Sequence, residues 1–338
     1  MDHQQRSLRI GAAVVVIAVV LRLLSGNLLA PVWQALTRPE TVAALMYLET
    51  GRVVRTYSTM TYPAESPIPN AEQATAPPRE SPPAFTSEDL SLIEMQYECS
   101  YDPDLSALIT APLNWDLADG APRVLIIHTH ATESYTPSPG EEYQQNASYR
   151  TLEEAYNMLS VGDAVAEKLE QAGITVIHDR QLHDYPSYNG SYSNAREAIE
   201  AILAEYPTIS MILDLHRDAA EVNGGQMDTS ARIDGLEAAQ LMLVVGTDAG
   251  GLYHPNWQQN LALALKLQAQ LEKTYPGLCR PIDLCAERFN ADESPGALLI
   301  EVGAAGNTHS EALLAANALA DGIIALAYGA NLTVNATN

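Results

Sequence analysis

From Leu105 onward, short unbroken apolar runs alternate with longer stretches whose apolar residues recur at helical spacing. Arg123-Val-Leu-Ile-Ile-His128 has the continuous apolar character of a strand buried on both faces. Met158, Val161, Val165 and Leu169 share one face of a helix over Tyr156–Ala172, with Gly173 as its stop. Strands are expected at 174–178, 209–215, 240–245 and 297–301. Helices are expected over Ser193–Tyr206, with Ser193 as N-cap, and over 256–275 and 310–328. This alternation predicts an α/β domain with a mostly parallel sheet flanked by helices.

The N-terminal third has a different texture. Ile10–Leu24 is almost entirely apolar, interrupted near its end by Arg22, which can snorkel to an interface. A spanning helix needs about 20 residues. Arg6 and Arg9 precede the run and favour an inside N-terminus. No clear small-residue cleavage site follows, so an uncleaved transmembrane anchor is expected rather than a removed signal. Tyr62–Thr86 holds seven prolines among Ala, Glu, Ser and Thr, a composition for a semi-extended linker. The expected organisation is residues 1–35 as cytoplasmic stub and anchor, 36–104 as juxtamembrane region and linker, 105–331 as the catalytic domain and 332–338 as a tail. This places the domain at the cell membrane, single-pass, outside the cytoplasm.

Charge narrows the function. With 42 acidic and 18 basic residues the net charge is −24. That excludes a nucleic-acid binder, which needs Lys and Arg against phosphates. The three cysteines, Cys99, Cys279 and Cys285, form no CxxC pair, so a thiolate zinc site is not expected. Cys279 and Cys285 could pair outside the cytoplasm or remain free thiols.

Polar residues gather where the expected strands end. The first ends in His128-Thr-His130 with Glu133 close behind, the third in Asp214-Leu-His216-Arg217-Asp218, the fourth in Gly246-Thr247 and the fifth in Glu301-Val-Gly303. Sites in open α/β sheets form beyond the carboxyl ends of strands. Imidazoles and carboxylates from separate strands suit Zn2+, whose catalytic sites keep three protein ligands and an open position. His130, His216, Glu133 and His128 are the candidate ligands, and Glu133 could instead orient an imidazole from behind. Arg217 is either a site residue or an ion-pair partner. His178 and His183 are candidates to line the cleft. A serine mechanism through Ser134 is the weaker enzymatic reading, because no Gly-x-Ser-x-Gly elbow surrounds it.

Several long motifs occur in order: His128-Thr-His-Ala-Thr-Glu-Ser-Tyr135, Asp184-Tyr-Pro-Ser-Tyr-Asn-Gly-Ser-Tyr192, Asp214-Leu-His-Arg-Asp218, His254-Pro-Asn-Trp-Gln-Gln-Asn260 and Leu299-Ile-Glu-Val-Gly-Ala-Ala-Gly-Asn307. Together they resemble the stage II sporulation protein P family over roughly residues 105–330. The resemblance implies a fold similar to the zinc-dependent N-acetylmuramoyl-L-alanine amidases. It implies a peptidoglycan hydrolase that removes stem peptides and cleaves cross-links during engulfment, acting from the mother-cell membrane with stage II sporulation proteins D and M. It further implies His130 and His216 as ligands and Glu301 as the catalytic carboxylate, with Glu133 or His128 as the remaining ligand. In a zinc mechanism, Arg217 or an unliganded His is expected to stabilise the developing oxyanion. The amidases carry a Glu ligand at the start of the first helix, where Asn157 stands here. A peptidoglycan-binding tether without catalysis is the alternative.

Overall fold

A computed structural model describes residues 84–113, 117, 119–222 and 224–328. The expected anchor at Ile10–Leu24, the juxtamembrane region, nearly all of the Pro-rich linker and the tail lie outside the described residues.

The frame is a seven-stranded sheet in the order β1-β10-β9-β11-β4-β2-β3. Its strands are β1 (Met95–Tyr97), β2 (Pro122–Ile127), β3 (Thr175–His178), β4 (Met211–Asp218), β9 (Leu241–Gly246), β10 (Ile282–Cys285) and β11 (Ala297–Ala304). Two small antiparallel ribbons, β5 (Glu221–Val222) with β6 (Gly225–Gln226) and β7 (Ala231–Ile233) with β8 (Leu236–Ala238), occupy the stretch between β4 and β9. All neighbours in the main sheet are parallel except β9 and β11. The sheet is therefore mostly parallel, as expected, but it consists of two halves running in opposite directions.

That reversal corrects one expectation. Because β9 runs against β11, its carboxyl end, Gly246-Thr247, lies at the rim opposite the ends of β2 and β4. A parallel crossover needs a dozen or more residues, usually a helix, to return the chain. Between β4 and β9 the chain forms only the two ribbons, so β9 enters from the far side.

Among the described residues, five α-helices complete the layers: α1 (Leu105–Thr110), α2 (Met158–Gln171), α3 (Ser191–Glu205), α4 (Trp257–Thr274) and α5 (His309–Tyr328). Strand side chains alternate between faces. Val124, Ile126, Leu213, Leu215 and Ile300 point toward α2, α4 and α5 in the main core, whereas Leu125, Ile127 and Ile212 meet Ala195 and Ile199 of α3. Each such aliphatic side chain, once buried, contributes about 1.5–3 kcal/mol. α5 is long and apolar enough to cross a membrane by length and composition, yet it packs against α2 and α4 as a core helix.

Local chemistry sets the ends of these helices. Asn157 caps α2, its Oδ1 accepting from Leu159 N at 3.0 Å, and Gly173 at φ +83° ends it with Ile174 N bonded back to Leu169 O. α3 starts two residues before the expected Ser193, after Gly190 in the left-handed region at φ +93° with no side-chain cap. Before Leu105, buried Phe85 and the edge strand β1 already belong to the folded body. Cys279 and Cys285 are free thiols, the first in the loop before β10 and the second its last residue.

Candidate active site

Asp214, His216 and Glu301 lie on the α3 side of the sheet by the alternation of β4 and β11, and Glu301 is registered against His216. β2 ends at Ile127, and a turn closed by Glu133 N to His130 O brings His130 to the same place. The imidazoles of His130 and His216 meet edge to face, with centroids 5.2 Å apart. Glu133 Oε2 is 3.7 Å from His216 Nδ1. Three strand-end segments thus bring four of the expected residues together.

Their polar atoms are unevenly satisfied. His130 Nδ1 and Glu301 Oε2 are buried without a hydrogen-bond partner. Such atoms are rare and costly in a protein interior. His216 Nε2 is 2.9 Å from Asp214 Oδ1, but out of line for a good hydrogen bond. Asp214 is itself held by Thr129 N and Thr129 Oγ1, at 2.8 and 2.6 Å. This carboxylate behind the imidazole turns His216 Nδ1 toward Glu133.

Electrostatics follow from burial and neighbours. Burial, with help from His216 and Arg150, lowers His130 to about 3, so its ring is neutral. For His216, burial works the other way from Asp214, Glu133 and Glu301, and the carboxylates prevail, raising it to about 9. Burial pushes Glu301 up to about 8, with Glu133 and Asp218 adding to it against His216 and Arg217. Among the described residues, no three His, Cys, Asp or Glu side chains are gathered closely enough to hold a metal ion as they stand.

His128 is placed differently from its neighbour. It points to the opposite face, where Nδ1 bonds Leu215 O at 3.0 Å and Nε2 bonds His178 Nε2 at 2.9 Å. Both ring nitrogens are engaged, which argues against its expected role as an alternative ligand. His178 continues to Asp163 Oδ1 at 3.1 Å. Gly162 on α2 makes this pair possible, since a Cβ there would lie 2.5 Å from His128 Nε2 and 2.6 Å from His178 Nε2. His183 pairs with Asp179 at 2.8 Å.

Arg217 is buried, and its guanidinium nitrogens face the main-chain carbonyls of Ser134, Ser148, Tyr149 and Asp218. Its own N–H donates to Glu133 Oε2 at 3.2 Å. It pins the 134–149 excursion and Glu133; it is not placed as a free oxyanion donor. Ser134 bonds Gln145 Oε1, not a histidine. Sequence reasoning missed Arg150, which pairs with Glu133 at 3.1 Å and Asp184 at 2.6 Å, and Tyr188, which stacks on His130 at 4.6 Å. Both lie in irregular segments without a periodic signal, although Tyr188 falls inside a recognised motif.

The family model for Stage II sporulation protein P (SpoIIP) matches residues 49–324. The chain belongs to that family. Stage II sporulation protein P of Bacillus subtilis (strain 168) is 32% identical over 210 residues, covering 59% of this chain and 49% of that protein. The chain thus spans about half the length of the curated relative it matches. Similar solved structures include the CwlD amidase from Clostridioides difficile in complex with the GerS lipoprotein, at 16% identity and TM-score 0.38, covering 60% of this chain and 98% of that one. An N-acetylmuramoyl-L-alanine amidase from Clostridium difficile 630 shows 20% identity and TM-score 0.36, covering 62% and 95%. Within the family's match lie all the residues gathered at the rim, from His130 to Glu301.

Proposed function

We propose that this family member is a zinc-dependent peptidoglycan hydrolase, an N-acetylmuramoyl-L-alanine amidase that also cleaves peptide cross-links. The reading adds a membrane anchor and a role in engulfment beside stage II sporulation proteins D and M. The observation that carries it is the pairing of His130 with His216 beside Glu133 and Glu301, with His130 Nδ1 and Glu301 Oε2 sealed and unpartnered.

The donor types suit zinc, which would displace the proton that Asp214, Glu133 and Glu301 otherwise favour on His216. His130 is neutral with a free nitrogen, His216 is steered by Asp214, and Glu133 supplies a carboxylate. His130, His216 and Glu133 would hold the ion, and Glu133 takes the third place because both nitrogens of His128 are used. Bound there, zinc would act as a Lewis acid and ease deprotonation of water.

The chain's own groups do the rest. Glu301 takes a proton at Oε2 from the attacking water and returns it to the leaving amine. Burial raises Glu301 above the usual carboxylate range, which makes its ionised form a stronger base. Arg217 and Arg150 fix Glu133 from two sides, Arg217 through its main-chain N–H and Arg150 through its guanidinium. Tyr188 stacks on the His130 ring and Tyr192 meets it edge to face, fixing its orientation.

Purified sacculi incubated with the full chain should release stem peptides, with new muramyl ends lacking them. A chelator should abolish release and added zinc should restore it. Undiminished release after complete chelation would overturn the zinc reading, and no release from sacculi under any condition would favour the tether.

A further inference from the structure

A cavity of about 810 Å³ lies beside the site, with Tyr188 on its wall. That is ample for a small ligand. Its walls carry Gln144, Asn146, Arg150, Leu152, Tyr185 and Tyr188. Tyr185, Tyr188 and Leu152 are each about half exposed, at 52%, 56% and 49%. Exposed aromatic faces in a concavity mark a binding surface rather than a core.

Charge narrows which groups of peptidoglycan the cavity suits: the wall carboxylates Asp184 and Glu153 already accept from Arg150 and from Gln144 N, so neither is an unmatched partner for a stem-peptide ammonium. An anionic stem-peptide carboxylate needs an uncommitted cation. Arg150 is already matched by Asp184 at 2.6 Å and Glu133 at 3.1 Å. Arg217, also on the wall, is buried and turned to main-chain carbonyls. The whole chain carries net charge −24. A carboxylate entering here meets no unpaired positive charge and an unfavourable field. What remains is amide and hydroxyl hydrogen bonding with tyrosine faces, the combination that suits a neutral ring with an apolar side and polar edges.

We infer that this cavity is a subsite for an uncharged N-acetylated hexosamine ring of a glycan strand, seated against Tyr185 and Tyr188 and bonded by Gln144. It would hold the glycan while Tyr188, stacked on His130, aligns the adjoining bond with the site. The inference rests on the proposed hydrolase reading, but binding can be measured without hydrolysis.

The test is calorimetric titration of the full chain with an N-acetylglucosamine tetrasaccharide, which has no stem peptide to cleave. Saturable binding is expected. Tyr185→Ala and Gln144→Ala should each weaken it by about tenfold, equivalent to about 1.4 kcal/mol. Tyr185→Phe should preserve it, and Tyr253→Ala, exposed outside the cavity, should leave it unchanged. On sacculi, Tyr185→Ala should raise KM more than it lowers kcat. Absence of saturable binding, equal binding by both wall variants, or displacement of the sugar by a free stem peptide would each overturn the subsite. Sugar binding without any hydrolysis of sacculi would instead overturn the enzymatic reading and leave the subsite standing.

Discussion

Two histidine pairs sit at neighbouring points of the same sheet, and they are chemically opposite. His128 and His178 lie on the α2 face with ring nitrogens 2.9 Å apart, joined onward to Leu215 O and Asp163. His130 and His216 lie on the α3 face, 5.2 Å between centroids, with His130 Nδ1 unpartnered. Burial lowers both His128 and His130 to about 3, so burial does not separate them. What separates them is where the lone pairs go. The first pair uses them within the protein and is a fastening. The second keeps one available to a ligand, at the cost of an orphaned buried atom.

The largest expected difference between the pairs is catalytic. Replacing His130 or His216 with Ala should reduce release of stem peptides from sacculi by at least about 1000-fold. Glu301→Gln should do the same while leaving the imidazoles in place, because the proton carrier is lost. Activity within tenfold of wild type in any of these would erase the distinction.

The fastening should fail differently. Gly162→Ala places a methyl against the buried His128 and part-buried His178 imidazoles, which are hydrogen-bonded to each other. Denaturant melts should show a loss of about 2–3 kcal/mol from overpacking, with the folded fraction still hydrolysing sacculi. An unchanged midpoint would mean the His128–His178 contact is looser than drawn. Arg217→Ala leaves carbonyls of the 134–149 excursion without donors and should cost about 1–3 kcal/mol in the same melts.

The smallest effect lies far from both pairs. Asp283 on β10 has a buried Oδ1 without a partner, and burial with Glu98 and Glu287 pushes its carboxyl up to about 6. The unfolded chain releases this proton near the ordinary aspartate value of 3.8. Between those values the folded form holds more protons, so stability falls as pH rises through the window and stays lower above it. Asp283→Asn should therefore raise stability by about 1 kcal/mol at pH 7.5, after allowing for solvent screening, and change nothing below pH 4. A gain at both pH values would assign the effect to packing instead.

These contrasts bear on what can be read from residues alone. Long apolar runs and helical periodicity locate β2, β4, α2, α4 and α5 to within a few residues. β1 and β10 escape notice because each is short and carries a polar residue at its centre. The direction of β9 was not legible, since strand pattern says nothing about orientation; the missing helix before it was the available signal. At the site, period two along a continuing strand would present His128 and His130 on one side. That pattern fails once β2 ends at Ile127 and the chain turns, sending the two rings to opposite faces. Asn157 is spent on capping α2.

The account turns on one atom-level claim, that His130 and His216 share a zinc ion and His128 does not. Elemental analysis of the purified full chain after zinc loading and desalting tests it most directly, with His130→Ala, His216→Ala and His128→Gln beside it. The account predicts one zinc per wild-type chain, one in His128→Gln, and none in the other two, all checked as folded by circular dichroism. Zinc retained by a folded His130→Ala or His216→Ala protein, or lost only with His128, would contradict it.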